Sequence, residues 1–177
     1  MKQYKHHSSK FTMIRLATEK DLDTINEIYN YEVLNSEYNV DTCAVSSDER
    51  LNWFAYHQKK NLPILVKDKG GIGEIIAWAS LSEWAPQGGY NQTAEVSIFV
   101  DRNVHRQGLG KELLRELMDT GAALGYKVLI SRIVNGNTAS IKLHQSLSFR
   151  YIGVMRRVAF KLNKWVDVQL WQKDLFI

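Results

Sequence analysis

The sequence predicts a mixed α/β domain folded around one sheet. Three observations predict it. Short apolar or alternating stretches bounded by turn residues read as strands. Four longer stretches carry apolar residues at helical spacing, most of them behind capping residues. Along the chain they run β-α-α-β-β-β-α-β-α-β-β, with no internal repeat, low-complexity tract or linker between them.

Met13-Ile14-Arg15-Leu16 is short and alternates, as a first strand does. Thr18-Glu19-Lys20-Asp21 places an acid three residues after a capping hydroxyl, and Leu22, Ile25, Ile28, Tyr29 and Val33 follow at helical spacing. Residues 34–45 have no period and read as a loop. Ser46-Ser47-Asp48-Glu49 is a second capping signal, followed by Leu51, Trp53, Phe54 and His57. Pro63-Ile64-Leu65-Val66 and the stretch from Ile72 to Leu81 form a hairpin across Asp68-Lys69-Gly70-Gly71. Residues 82–92, with Pro86, Gly88 and Gly89, form a loop. From 93 to 100 the alternation is clean: Ala94, Val96, Ile98 and Val100 share one face, and Glu95, Ser97 and Phe99 the other. A helix over 109–124 turns Leu109, Leu113, Leu114, Leu117 and Leu124 inward and Lys111, Glu112, Arg115, Glu116 and Asp119 outward. Gly125 ends it. Val128-Leu129-Ile130 is a buried strand, and Asn137 opens a helix over 140–147. Stretches at 149–154, 157–162 and 165–175 make a strand-rich end whose last hairpin turns at Asn163-Lys164.

A chain of 177 residues buries enough surface to fold without staples. Its hydrophobic fraction of 45% and charged fraction of 24% exclude a disordered protein, and its lone Cys43 excludes a disulfide framework and fits a reducing compartment. No apolar run is long enough to span a bilayer. The first ten residues start positively but lack the apolar core of a signal peptide, so a soluble cytoplasmic protein is expected. The net charge of +4 owes three of its charges to Lys2, Lys5 and Lys10. Residues 1–12 therefore read as a flexible basic tail and 13–177 as a single, nearly neutral domain. Without a basic stripe, nucleic acid is not an expected partner. No Cys/His spacing suggests a metal.

The most informative feature is the glycine-rich turn between the strand ending at Val100 and the helix that follows. Helix N-termini present free N–H groups and a positive dipole end, and glycines let a phosphate approach them. Gly108 and Gly110 suit that role. The spacing is not a dinucleotide fingerprint, because Leu113 stands where the third glycine belongs. It is not a Walker A loop, because Lys111 precedes Glu112 rather than Ser or Thr. A ligand-free strand-to-helix turn is the other reading. Glu95 is the one acid of its strand and is either a general base in a cleft or a solvent-facing carboxylate. His144 stands one turn past Ser140, as a packed, capping or catalytic imidazole. Trp84 begins the Pro/Gly loop beside this region.

Together these pieces carry a resemblance. His105-Arg106-Gln107-Gly108-Leu109-Gly110 resembles the pyrophosphate-binding Gln/Arg-x-x-Gly-x-Gly/Ala segment of GNAT-superfamily N-acetyltransferases. The stretch from Asn137 through Ser140, Leu143-His144 and Leu147 to Phe149 resembles the superfamily's second segment. Thr93-Ala94-Glu95-Val96-Ser97 and the closing Phe160-Lys161, Trp165, Asp167, Val168, Gln172 and Lys173 are similar to the phosphinothricin/methionine sulfone acetyltransferase branch. The resemblance implies a GNAT fold: a central mixed, mostly antiparallel twisted sheet of about seven strands flanked by about four helices. It implies an enzyme transferring acetyl from acetyl-CoA to a primary amine of a small molecule, an amino acid or its analogue. The same fold also serves protein or peptide acetylation, and a non-catalytic acyl-CoA-binding module is the rival of another class.

The resemblance also implies roles. The backbone of Ile98, Phe99 and Val100 would pair with the pantetheine arm, and the N–H groups of Arg106, Gln107, Gly108, Leu109, Gly110 and Lys111 would cradle the pyrophosphate. A side chain added at Gly110 would exclude that phosphate. Asn137 and Ser140 would contact the cofactor arm. Glu95 would be the base and His144 would protonate the departing thiolate. Glu95, Val96 and Ser97, with Trp84, Ala85, Pro86 and Gln87, would face the substrate. A homodimer is implied, with the aromatic closing segment around Trp165 and Trp171 as apolar surface. Departures from the pattern are His105 for Gln/Arg, Ser148 for Gly, and Ala85 and Asn91 where the branch carries arginines. Ala85 and Asn91 remove charge-assisted contacts to an anionic substrate, and Trp84, Pro86 and Tyr90 imply a more apolar mouth. Arg132 and Arg156 remain as arginines able to reach the site from elsewhere in the fold.

Overall fold

The computed structural model describes residues 13–69 and 74–176. The basic tail, the Gly70-Gly71 turn and the expected strand start at Ile72 lie outside the described residues. One seven-stranded sheet is formed by Ile14–Leu16 (β1), Ile64–Asp68 (β2), Ile75–Glu83 (β3), Thr93–Val100 (β4), Val128–Val134 (β5), Arg150–Lys161 (β6) and Lys164–Asp174 (β7). Its order is β1-β2-β3-β4-β5-β7-β6. Every pairing is antiparallel except β4 with β5. Leu22–Asn35 (α1), Ser47–Lys60 (α2), Leu109–Ala123 (α3) and Thr138–Ser146 (α4) are the helices.

The alternation of β4 decides the layering. Ala94 and Val96, with Ile98 and Val100 beside them, pack into a core with Leu113, Leu114 and Leu117 of α3. Phe99 points the other way and stacks on Trp78 at 4.8 Å, against the layer built by Ile25, Ile28 and Phe54 of α1 and α2. Both capping signals are formed. Asp21 accepts the Thr18 N–H at 2.7 Å, and Ser46 and Glu49 close a box at the start of α2. Asp21 also takes both Nη groups of Arg15, whose Nε holds Asp68, so one guanidinium ties the entry to α1 to β1 and β2.

Some expected boundaries move. The stretches at 149–154 and 157–162 are one strand, β6, broken by a register shift between Met155 and Ala159. Arg157 takes a left-handed φ of 49° there, and its N–H is held by the Asp167 carboxylate at 2.7 Å. The bulge interrupts the side-chain period, so the sequence reads as two strands. Leu124, expected inward, is 51% exposed because it caps α3 rather than continuing it. Ser148 sits at φ 62°, which explains why a glycine suits that position.

Lys67 is a fully buried cation. Lys67 of β2 lies under the first turn of α3 and meets Glu112 at 2.8 Å, without hydrogen-bond alignment. Breaking such a pair leaves a buried charge, whereas an apolar replacement of similar volume does not. Glu112 is largely exposed, which moderates the effect. Glu112→Gln is expected to destabilise by about 1–3 kcal/mol and Lys67→Met by less than ~1 kcal/mol, read from urea midpoints. Equal losses in the two variants would assign Lys67 a packing role alone.

Candidate active site

The site begins where the sheet opens. β4 and β5 pair only at Thr93 with Val128, Ala94 with Leu129 and Glu95 with Ile130. Beyond Glu95 the strands part, although β4 runs on to Val100 and β5 to Val134. β4 remains paired with β3 on its other side, as β5 does with β7. From Val96 to Val100 one backbone edge therefore faces an opening rather than a strand. Such an edge is a template for an extended ligand that supplies the missing hydrogen bonds. The main chain of Ile98, Phe99 and Val100 is part of it.

At the far end of this edge lies the glycine turn. Arg106 and Gly108 adopt φ values of 63° and 79°, and Gly108 is the N-cap of α3. The N–H groups of residues 106–110 donate to no acceptor among the described residues, which leaves them for an anion at a helix N-terminus. Lys111 differs from the expectation: its N–H is already bonded to the Gly108 carbonyl at 3.0 Å. Gly110 also differs. A Cβ there would meet Leu143 at 3.4 Å and Val100 at 3.7 Å, inside the protein. A larger residue at 110 would push α3 from α4 and β4 rather than fill the phosphate site. Gly108 is the glycine that faces open space. His105 folds back, its Nε2 lying 3.0 Å from the Val100 carbonyl, away from a phosphate-binding role.

Glu95 is the last residue of β4 paired with β5, on the α1–α2 face opposite Ser82 of β3. Its side chain is 16% exposed, and Arg132 holds it at both oxygens, Nε at 2.5 Å and Nη2 at 2.8 Å. Ser97 follows on the same face, opposite Ser80. Val96, expected to face substrate, puts its side chain in the core and offers the opening only its backbone. Trp84, Ala85 and Pro86 line a separate open cleft of about 200 Å³ with Lys60, Glu83, Tyr90, Asn91 and Thr93; Glu95, Ser97 and Gln87 do not line it.

His144 approaches from the opposite face. α4 packs with α3, and the imidazole is buried against Phe149 at 4.8 Å. Its Nδ1 lies 2.8 Å from the Ser140 carbonyl, so Nδ1 carries the proton and Nε2 is an acceptor. Nε2 is buried without a partner among the described residues. Burial holds the ring below the ordinary histidine range, hence neutral near pH 7. Asn137 caps α4 by accepting the Ser140 N–H at 3.1 Å, which leaves its own NH₂ free to donate.

Sequence reasoning did not find how the loop between α1 and α2 is fastened. Residues 36–46 cross from α1 to the closing hairpin: Lys161, buried, donates to the Asn39 carbonyl at 2.6 Å, Lys164 binds Glu37, and Tyr29 binds Asp41. Nothing periodic marks this loop; its signals are the short-range Asx bond of Asn39 to the Asp41 N–H and two lysines far along the chain.

A sequence model of the acetyltransferase (GNAT) domain matches residues 14–170. The chain belongs to the GNAT acetyltransferase family. It has the GNAT fold and is an acetyl-CoA-dependent N-acetyltransferase. It is similar to the L-methionine sulfoximine/L-methionine sulfone acetyltransferase of Salmonella typhimurium, 34% identical over 92% of this chain and 94% of that one. It is 33% identical to an L-amino acid N-acyltransferase of Escherichia coli, over 92% of this chain and 93% of the other. The structure of a GNAT-superfamily phosphinothricin acetyltransferase from Sinorhizobium meliloti, solved with acetyl-CoA, superposes with a TM-score of 0.87 at 30% identity, covering 92% of this chain and 88% of that one.

Two buried neutral imidazoles in this GNAT domain have a measurable consequence. Burial lowers the pKa of His57, which bonds the Trp53 carbonyl and Ser82, as it does that of His144. The unfolded chain, with histidines near the ordinary 6.5, then binds more protons than the folded one just below that pH. Stability is full above about pH 6.5 and falls as pH drops below it. Thermal melts at stepped pH should show a flat Tm near neutrality and a decline on acidification, with a shallower decline in His57→Gln. A Tm indifferent to pH between about 7 and 5 would contradict neutral burial.

Proposed function

We propose that the protein acetylates the α-amino group of a small amino acid or amino-acid analogue. The observation that carries this is the parting of β4 and β5 after Glu95, with a free backbone edge running from a carboxylate to an unpartnered helix N-terminus. Acetyl-CoA lies along that edge, its pantetheine beside Ile98, Phe99 and Val100, its pyrophosphate on the N–H groups of residues 106–110, and its arm near Asn137 and Ser140. The thioester is then where the strands begin to part, between Glu95 on one face and His144 on the other. The amine is small because the opening is crossed by the loop over 36–46. The relatives that act on methionine sulfoximine, methionine sulfone and L-amino acids support that class.

An α-ammonium is mostly protonated at neutral pH and must lose a proton before it attacks. Glu95 takes it, directly or through a water. The nitrogen lone pair forms the C–N bond with the thioester carbonyl, a backbone N–H of the parted strand holds the developing oxyanion, and the C–S bond breaks. The attacking nitrogen loses its second proton as the intermediate forms; the neutral His144 takes up that proton at Nε2 and passes it to the leaving sulfur, its burial making the imidazolium a stronger acid than usual. Positioning of the two reactants supplies much of the remaining rate.

The same reading includes a homodimer in the cytoplasm. Trp171 belongs to the core, but Trp165, Phe160 and Leu162 are each more than half exposed at the closing hairpin, an apolar patch suited to a second copy. Cys43 is free and exposed, and no described helix is long and apolar enough to cross a membrane. Sedimentation equilibrium at micromolar protein should give twice the chain mass; the monomer mass would refute the dimer.

The activity is tested by release of free thiol from acetyl-CoA over a panel of amino acids, amines and peptides. Turnover is expected with small α-amines, and Glu95→Gln should lower kcat by about 10²–10⁴ while acetyl-CoA binding is retained. A variant as active as the wild type, with the same pH profile, would remove Glu95 from the mechanism.

A further inference from the structure

The Glu95–Arg132 pair occupies the carboxylate that the reaction needs. Arg132 stands on β5 two residues beyond Ile130, the last residue paired with β4, and on the same face as Glu95. It thus reaches across the opening itself. Its side chain is 53% exposed, and Nη1 makes no hydrogen bond among the described residues. A pair this open to water contributes little to stability. Its neighbours on that face are Ile130 and Val134, and Leu170 lies opposite on β7, so the guanidinium has an apolar flank and no second anion there. The cleft holding Ala85 and Asn91 offers no alternative anchor, because its one cation, Lys60, is already paired with Glu83 at 3.1 Å.

We infer that Arg132 is the carboxylate anchor for the substrate, and that binding this carboxylate frees Glu95 to act on the amine. The inference rests on the proposed acetylation of a small amine. A zwitterionic α-amino acid carries its ammonium and its carboxylate one carbon apart. Laid against the Glu95–Arg132 pair, it presents each charge to the opposite one. Arg132 exchanges one carboxylate for another, with its planar fork matched to either, and Glu95 exchanges a guanidinium for the ammonium whose proton it takes. An amine without an anion meets a base still engaged by Arg132, so the pair selects for α-amino acids and holds the base in check until one arrives.

The experiment compares methionine sulfone with its carboxamide in the wild type, Arg132→Ala and Arg132→Lys. In the wild type the free acid is expected to have a KM roughly ten- to a hundredfold below that of the amide. Arg132→Ala should raise the KM for the acid by about that factor and bring acid and amide together. It should also raise kcat/KM for the amide above the wild-type value, since Glu95 is then unengaged; a merely structural residue would not do this. Arg132→Lys, lacking the fork, should restore only part of the discrimination. An unchanged KM for acetyl-CoA verifies that each variant is folded. Arg132→Ala that still prefers the acid as the wild type does would overturn the proposal. Calorimetric binding of the same two compounds in the presence of CoA separates the two readings. If no amine is turned over by the wild type, the acetylation reading fails, while Arg132-dependent binding of the acid alone still upholds the anchor and Arg132-independent binding removes it.

Discussion

Everything functional in this molecule depends on a sheet that stops pairing in its middle. The parallel ladder between β4 and β5 lasts three residue pairs, and each strand then continues alone on its inner edge. An unpaired backbone edge presents its N–H and C=O groups in strand register, a template for an extended ligand. The remaining features take their place from that gap. Glu95 is where pairing between β4 and β5 ends, Arg132 is just beyond it on the other lip, and the free N–H groups at the start of α3 lie at its far end.

Two opposite faces contribute, and the alternation of β4 is the reason. Odd-numbered residues turn toward α1 and α2, even-numbered ones toward α3. The carboxylate and the apolar bed of the cofactor helix therefore come from one eight-residue strand without competing for space. The histidine, fixed as an Nδ1–H tautomer by the Ser140 carbonyl, carries a buried lone pair rather than a proton at Nε2.

The parts that were legible in the sequence are those written in local spacing. Clean alternation over 93–100, capping hydroxyls with an acid three residues on, and a glycine turn between strand and helix each report on a few neighbouring residues. Arg132 and Glu95 are 37 residues apart and meet only because the register of β5 against β4 brings them to one face. Lys67 and Glu112 likewise meet through packing. The inward turn of Gly110 could not be told from the outward turn of Gly108, since both are glycines and only the helix phase separates them. Trp165 and Trp171 lie on one face of β7, yet only Trp171 reaches the core beneath α3. Composition identifies such residues, but their burial is decided by what covers them.

The loop over 36–46 acquires a mechanical meaning from the shortness of that ladder. The strand ladder joins β1–β4 to β5–β7 through three residue pairs, a narrow seam in a sheet of seven strands. The apolar core under α3 holds the two halves together but is non-directional, so it resists separation more than rotation. The Glu95–Arg132 pair spans the seam, and so does the loop, which leaves α1 on one half and is fastened through Asn39 and Glu37 to Lys161 and Lys164 on the other. The span of a surface loop is thus part of what holds the two halves at their separation, and its length can change while the sheet and the residues along the seam stay as they are.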